Sequence, residues 1–310
     1  MKCTATYMKR STSILFFLLY ISHCFSQSTP DRRSDLLKNN LSGAIESIKE
    51  TKYSVKEVEG RFIKDTITDN QKVSHYNNAG YLTEEITFEL NGTISEKWNY
   101  TYDISNNQLG GKRYNNDGNL LWHYDSKFDN KGNQLEIMAY EEGSLVSTTT
   151  MKYDSRGNCV EISTEEEGIW KTIRSYDSKD NLMDYKSYDR EGKQVLHEIF
   201  KYDSKGNLIE KIKYNVDDTL IGRENYSYNS KKQLIEYKYF SPGGRFLERN
   251  TYKYDNKGNQ IELRSYRADG GLAWKTTYKY IYDKKGNWIQ KTQLTNDISE
   301  SITDRVIKYF

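Results

Sequence analysis

The stretch YDSKGNLIEKIKY, Tyr202 to Tyr214, is the strongest indication of local structure in the sequence, because close relatives of it recur along most of this 310-residue chain. Ser204 and Lys205 suit the two right-handed positions of a type I turn, and Gly206 suits the left-handed residue that follows in a three-residue hairpin loop. Asp203 can accept a hydrogen bond from the backbone of the same turn. The motif therefore predicts a β-hairpin turn and not a chemical site.

The same turn recurs with aspartate and glycine three residues apart. We predict the same structural role for five such pairs: Asp129 with Gly132, Asp154 with Gly157, Asp203 with Gly206, Asp255 with Gly258, and Asp283 with Gly286.

An aromatic residue precedes each turn, and its spacing of about 26 residues defines a repeat. The first series is Tyr76, Tyr102, Phe128, Tyr153, Tyr176, Tyr202, Tyr228, Tyr254 and Tyr282. A second series lies between its members: Tyr114, Tyr140, Tyr188, Tyr214, Phe240 and Tyr266. Each unit thus holds two turns, which is typical of architectures whose units pack mainly on their neighbours.

The segments between turns have strand length and are rich in Tyr, Ile, Leu and Thr. We predict an all-β fold in which tandem hairpins form a long twisted antiparallel meander sheet or an open β-solenoid, preceded by a short N-terminal helix. Because the repeat length is even, residues one unit apart share a face, so the tyrosines should form ladders.

The chain is expected to have three parts: a signal peptide at 1–26, a capping segment at 27–43, and a repeat domain at 44–310.

The signal peptide is indicated by basic residues ahead of an apolar run, Ile14 to Ile21, that is too short to span a bilayer. Small residues favour a cut before Gln27. The alternative is that Cys24 becomes the lipid-modified first residue of a lipoprotein. Either reading predicts an exported protein that is periplasmic, cell-surface or extracellular, with no transmembrane span.

Charge and cysteine content narrow the classes of partner. Removing the signal takes three positive charges from 46 Lys+Arg and none from 44 Asp+Glu, which leaves 43 against 44 and a net of about −1. This balance argues against a nucleic-acid partner. Cys159 is the only cysteine beyond the signal, so no internal disulfide is expected.

Four stretches, YDSRGNCV, YDSKGNLI, YDNKGNQI and YDKKGNWI, resemble the YD-repeat (Rhs-type) family, whose unit reads Tyr-Asp-x-x-Gly-Arg-Leu. The resemblance extends from Tyr76 to Gln290. It implies long β-hairpin sheets in a short exported member without a toxin domain. Carbohydrate binding, attributed to some members, is implied as a further possibility.

No catalytic motif or metal-ligand spacing occurs in the sequence, so we predict no enzyme activity, no metal site and no cofactor. Stacked aromatic rings can bind sugars or an extended partner, although they can equally pack across strands. The candidate ligand-binding residues are Trp98, Trp122, Trp170, Trp274 and Trp288.

Three hypotheses for function follow. The first is a non-enzymatic exported repeat scaffold that binds a carbohydrate or a protein partner at the cell envelope. The second is a structural or assembly component that pairs through its sheet edges. The third is a hydrolase whose site forms only in the fold. The oligomeric state stays open.

Overall fold

The computed structural model describes residues 33–166 and 169–310. The predicted signal peptide, Cys24, and residues 27–32 of the capping segment lie outside the described residues. Among the described residues, helix is confined to one short segment, α1 (Asp35–Lys38), where Ser34 Oγ accepts a hydrogen bond from the backbone N–H of Leu37.

The remaining regular elements of the described chain are antiparallel strands. They are β1 (Ile45–Val58), β2 (Arg61–Ile67), β3 (Gln71–Tyr76), β4 (Leu82–Phe88), β5 (Ile94–Tyr102), β6 (Gln108–Asn115), β7 (Leu120–Phe128), β8 (Gln134–Glu141), β9 (Ser144–Tyr153), β10 (Cys159–Glu165), β11 (Ile169–Tyr176), β12 (Leu182–Tyr188), β13 (Gln194–Tyr202), β14 (Leu208–Tyr214), β15 (Leu220–Tyr228), β16 (Leu234–Phe240), β17 (Phe246–Tyr254), β18 (Gln260–Tyr266), β19 (Leu272–Tyr282), β20 (Trp288–Thr295) and β21 (Ile298–Tyr309).

The turn between β13 and β14 shows why these residues form hairpins. The Asp203 carboxylate accepts hydrogen bonds from the backbone N–H groups of Lys205 and Asn207, at 2.9 and 2.8 Å. Gly206 has a φ of +79°, in the left-handed region where a Cβ is unfavourable. The strand register shifts by one residue immediately before the turn. The turn chemistry therefore sets both the hairpin and its bulge.

The sheet closes on itself. One edge of β1 pairs with β21, so that Ile48 lies opposite Ile307 and Glu50 opposite Arg305. Its other edge pairs with β3, where Ile48 lies opposite Ser74. From β3 to β21 each strand pairs with the next. Within the described residues, twenty strands (β1 and β3 to β21) thus form a ring, while β2 extends beyond β3 along β1.

The predicted open meander or solenoid is therefore wrong, and the predicted N-terminal helix is reduced to the four residues of α1. The structure is all-β, but it is a closed antiparallel barrel with almost no helix. Strand twist accumulates around a long sheet until the first and last strands meet, and their pairing removes two long unpaired edges. This closure joins distant segments: Arg305 Nε donates to Glu50 Oε1 at 2.5 Å across 255 residues.

The register separates the side chains into two faces, because residues directly opposite one another point the same way. One face carries Lys152 and Lys253, with side chains 70% and 63% exposed. The other carries Glu224, Arg305 and Lys211, which are 8%, 15% and 20% exposed. Side chains converge and shield one another on a concave surface, so we assign the second face to the inside of the barrel.

The barrel wall is a single layer. Twenty strands about 4.8 Å apart give a circumference of about 96 Å, and a round ring of that size is about 30 Å across. In general, barrels with about 16 to 18 strands enclose an interior that wall side chains do not fill.

The segment before β1 lies across one end of the barrel. The backbone N–H of Leu36 donates to Gly80 O at 3.1 Å, and Asn40 Nδ2 donates to Lys257 O at 3.1 Å. Ser42 and Asn287 exchange two hydrogen bonds, both at 2.7 Å. These contacts tie the segment to turns on both sides of the β1–β21 seam, so it covers part of this opening.

Two apolar clusters stabilise the wall. One lies beside the covered opening and contains Leu36, Leu41, Ile45 and Ile48, packed against Tyr76, Ile307 and Tyr309. The other lies on the inner wall and contains Trp122, Tyr124, Ile137, Ala139, Met151, Cys159 and Ile162.

Candidate functional site

Four charged residues form an ion-pair network on the inner wall of β13 to β15. Lys213 lies 2.6 Å from Glu224, and Lys211 lies 3.1 Å from it. Glu198 is 3.6 Å from Lys211 and 4.0 Å from Lys213. The hydroxyl of Tyr226 donates to the Glu224 carboxylate. We call these four charged residues the inner-wall network.

Electrostatics keeps Glu224 and Lys213 ionised. Burial alone would raise the pKa of Glu224, but hydrogen bonds from Lys213 and Tyr226 and the charge of Lys211 hold it below its usual value. Burial likewise opposes the charge of Lys213, but its hydrogen bond to Glu224 raises the pKa of Lys213 above the ordinary range. Both groups are therefore held in their charged forms, as fixed hydrogen-bonding groups and not as proton-transfer groups.

Tyrosines flank the network on the next strands. Tyr226 lies opposite Tyr237 in the β15–β16 register, and their rings are 5.6 Å apart. Burial, followed by the charges of Glu224 and Glu248, raises the pKa of Tyr237 to about 12. The inner wall here combines rings with paired charges, a surface suited to a polar ligand with apolar faces.

Raising the pH from 10 to 12 is expected to destabilise the barrel. Burial raises the pKa of Tyr76, Tyr202, Tyr237 and Tyr280 to about 12, whereas an unfolded tyrosine ionises near 10. The stabilisation by these neutral phenols is full below pH 10 and is lost as the pH rises towards 12. Phenolate absorbance and circular dichroism measured together should show ionisation coupled to unfolding. Complete ionisation near pH 10 with an unchanged spectrum would contradict this.

Two of the five candidate tryptophans are packed in the wall. The register places Trp98 and Trp122 on the inner face on either side of Arg113, with their rings 5.7 Å apart. Trp122 is only 9% exposed and lies 5.5 Å from the ring of Tyr124. These rings mainly stabilise the inner-wall apolar cluster.

Two others are half-exposed on the same face. Trp170 is 43% exposed and lies opposite Thr164, and Trp274 is 37% exposed and lies opposite Ser265. The Arg190 guanidinium lies 5.7 Å from the Trp170 ring. Trp170 precedes Tyr176 by six residues, and Trp274 precedes Tyr280 by six. Trp122 precedes Phe128 by the same number. The indoles of Trp170 and Trp274 therefore lie at one level of the inner wall.

Trp288 lies at the other end of the barrel, at the start of β20. The Arg305 guanidinium sits 3.4 Å from its ring centroid, and Lys291 Nζ lies 5.4 Å away. The structure thus separates the five tryptophans into two packed rings, one covered ring and two half-exposed rings.

The turn aspartates lie on the rim, where their own turns occupy the carboxylates. Hydrogen bonds from the Asn207 side chain and backbone lower the pKa of Asp203. The five pairs have the same arrangement, since each aspartate accepts from its own turn: Asp129, Asp154, Asp203, Asp255 and Asp283. Their glycines all have positive φ: Gly132, Gly157, Gly206, Gly258 and Gly286.

Successive turns are also linked. The hydroxyl of Tyr282 donates to Asp255 in the turn of the preceding unit, and that of Tyr309 donates to Asp283. Within residues 33–166 and 169–310, no group of three or more His, Cys, Asp or Glu side chains is placed to hold a metal ion.

The described part of the chain has no helix that is long and apolar enough to cross a membrane.

The inner-wall network was not identified from the sequence. Its signal is the pair Lys211 and Lys213, two residues apart on one strand, facing Glu224 on the next. Lysine–glutamate ion pairs between neighbouring strands also occur on the outer face, as between Lys152 and Glu161, and only the register shows which of them lie inside.

A family model described only as an uncharacterised protein matches residues 111–243, less than half of the chain. None of the curated proteins matches this sequence.

Similar solved structures include a porin-like protein from Bacteroides uniformis, with 9% identity and a TM-score of 0.34, where 86% of this chain covers 98% of that one. One from Bacteroides vulgatus has 10% identity and a TM-score of 0.29 over the same shares. The Photorhabdus luminescens Tc holotoxin pore has 14% identity and a TM-score of 0.23, where 76% of this chain covers 19% of that one.

The assignment to the YD-repeat family is wrong. The matching family model carries only the description of an uncharacterised protein, and the hairpins close into a barrel where the resemblance implied a long repeat sheet. The Asp-x-x-Gly motif is explained by its turn, because the three-residue loop needs a left-handed residue and a side-chain acceptor in any hairpin sheet.

Proposed function

We propose that this chain is a non-enzymatic, exported barrel protein that binds a carbohydrate at its inner wall in the cell envelope. The carrying observation is that Trp170 and Trp274 are 43% and 37% exposed at one level of that wall. Indole rings left in contact with water favour a binding role, and their flat apolar faces can stack on the C–H faces of sugars.

The inner-wall network supports the same ligand class. The network lies on β13 to β15, between the strands β11 and β19 that carry Trp170 and Trp274. Along the strand direction of β13 and β15 it lies one inward-facing residue beyond the level of the two indoles. Sugar hydroxyls need both donors and acceptors, and the lysines, glutamates and neighbouring tyrosine hydroxyls offer both. Because Glu198 and Glu224 are held in ion pairs, they support binding and not hydrolysis.

The outer face supports an aqueous setting within the envelope. It carries cross-strand ion pairs such as Lys152 with Glu161 at 2.8 Å and Lys253 with Glu262 at 2.9 Å. A wall that faces lipid instead carries an apolar band about 25 Å tall. We therefore propose the periplasm or the cell surface as the location.

Replacing both Trp170 and Trp274 by alanine is expected to weaken carbohydrate binding tenfold or more, because truncating an aromatic anchor typically costs more than about 1 kcal/mol. A glycan array with the wild-type protein identifies the ligand, and calorimetric titration measures its affinity in each variant. Both side chains are partly exposed, so the circular dichroism spectrum should not change.

Ile281→Ala is the control, since this side chain is 54% exposed on the outer face. It should bind as tightly as the wild type. A wild-type protein that binds no glycan, or a double variant with unchanged affinity, would overturn the proposal.

A further inference from the structure

The strand β2 has an unpaired edge. Within residues 33–166 and 169–310 it pairs with β1 alone, and six of its seven residues are exposed. The hairpin that it forms with β1 carries three exposed apolar side chains: Val58 at 44%, Phe62 at 42% and Ile63 at 41%. Every strand of the ring has partners on both sides, so β2 offers an accessible backbone edge in the described part of the sheet.

The turn of this hairpin shows which backbone groups face outward. Glu59 and Gly60 have φ values of +50° and +74°, and they form a two-residue loop between Val58 and Arg61. The residues that flank such a loop form a hydrogen-bonded pair, and the pattern then alternates along the ladder. Arg61 and Ile63 therefore direct their N–H and C=O groups to β1, whereas Phe62 and Lys64 direct theirs away from it.

This alternation restricts the register in which β2 of a second copy could pair antiparallel with β2 of the first. In both copies the backbone N–H and C=O groups that face outward belong to Phe62 and Lys64. A register centred on Lys64 opposes two ammonium-bearing side chains and is unfavourable. In a register centred on Ile63, the two Ile63 side chains lie opposite each other. Each Arg61 then lies opposite the Asp65 of the other copy, and each Phe62 lies opposite the aliphatic stem of the other copy's Lys64. Asp65 is 38% exposed beside Lys56, so its carboxylate is accessible.

We propose that two copies of this chain pair in antiparallel fashion through β2, in the register centred on Ile63. The pairing is isologous, since each copy contributes the same strand. It extends the wall of one barrel into that of the next and covers the exposed apolar side chains of both hairpins.

The test reverses the two charges separately and then mixes the variants. Arg61→Asp and Asp65→Arg each turn two attractive pairs into repulsive ones, so each variant alone should dimerise about tenfold more weakly than the wild type. In an equimolar mixture the mixed dimer regains two attractive pairs. In one pair the aspartate introduced at position 61 faces the arginine introduced at position 65 of the other copy. In the second pair the native Asp65 of the first copy faces the native Arg61 of the other. Sedimentation of the mixture should show dimers at concentrations where each variant alone is monomeric.

Asp217→Lys is the control, because it reverses a charge in an exposed turn away from β2. It should dimerise like the wild type. A wild-type protein that stays monomeric throughout the concentration series would overturn the proposal, as would a mixture that dimerises no better than its components. Carbohydrate binding at the inner wall is measured separately, so the failure of one proposal leaves the other standing.

Discussion

Replacing Gly110 by alanine is expected to lower the free energy of unfolding by about 1–3 kcal/mol, the usual cost of overpacking. Gly110 lies in β6, and a Cβ there would come 2.5 Å from the backbone carbonyl oxygen of Tyr124 in β7. A ladder backbone cannot move aside as the end of a flexible side chain can, so β6 and β7 would have to separate. Since Tyr124 belongs to the inner-wall apolar cluster, the displacement also disturbs Trp122.

Urea or thermal unfolding measures this loss, and Gly243→Ala provides the matched control. No atom lies within 4 Å of a Cβ at Gly243, and its φ is not in the left-handed region. The control should therefore unfold like the wild type. Equal losses in the two variants, or none in Gly110→Ala, would contradict the packing argument.

Replacing Glu224 by alanine is expected to cost about 3 kcal/mol of stability, because removing one partner of a buried ion pair leaves the other without compensation. Glu224 has a side chain only 8% exposed and lies within hydrogen-bonding distance of both Lys211 and Lys213. Without it, the two ammonium groups keep Glu198 alone, at 3.6 and 4.0 Å.

The pH dependence gives an independent check on this network. Because the folded protein lowers the pKa of Glu224, the stabilisation is full above its unfolded value of about 4.5 and is lost as the pH falls through the lower folded value. Glu224→Gln should therefore remove part of the acid-induced loss of stability. Glu142→Gln, in an exposed turn, should retain it. Identical acid profiles for Glu224→Gln and the wild type would contradict the assignment.

The tryptophans show how far the candidate site could be predicted. The sequence predicted all five tryptophans as candidate ligand-binding residues, since aromatic rings suit both packing and binding. Trp122 and Trp170 occupy the same position in their repeats, yet one is 9% and the other 43% exposed. The difference depends on neighbouring strands: Trp122 packs against Trp98 and Tyr124, whereas Trp170 lies opposite Thr164. Repeat position therefore could not separate them.

By itself the sequence determined the strands and their turns, because those depend on local chemistry. Gly206 adopts the left-handed conformation and Asp203 accepts hydrogen bonds from its own turn, so both features involve only a few neighbouring residues. The pairing of β1 with β21 is visible only in the folded barrel, because closure depends on strand twist summed over twenty strands. It also depends on contacts between distant residues, such as Glu50 with Arg305, 255 residues apart. Closure in turn decided which face lies inside, and so which rings and charges can meet a ligand.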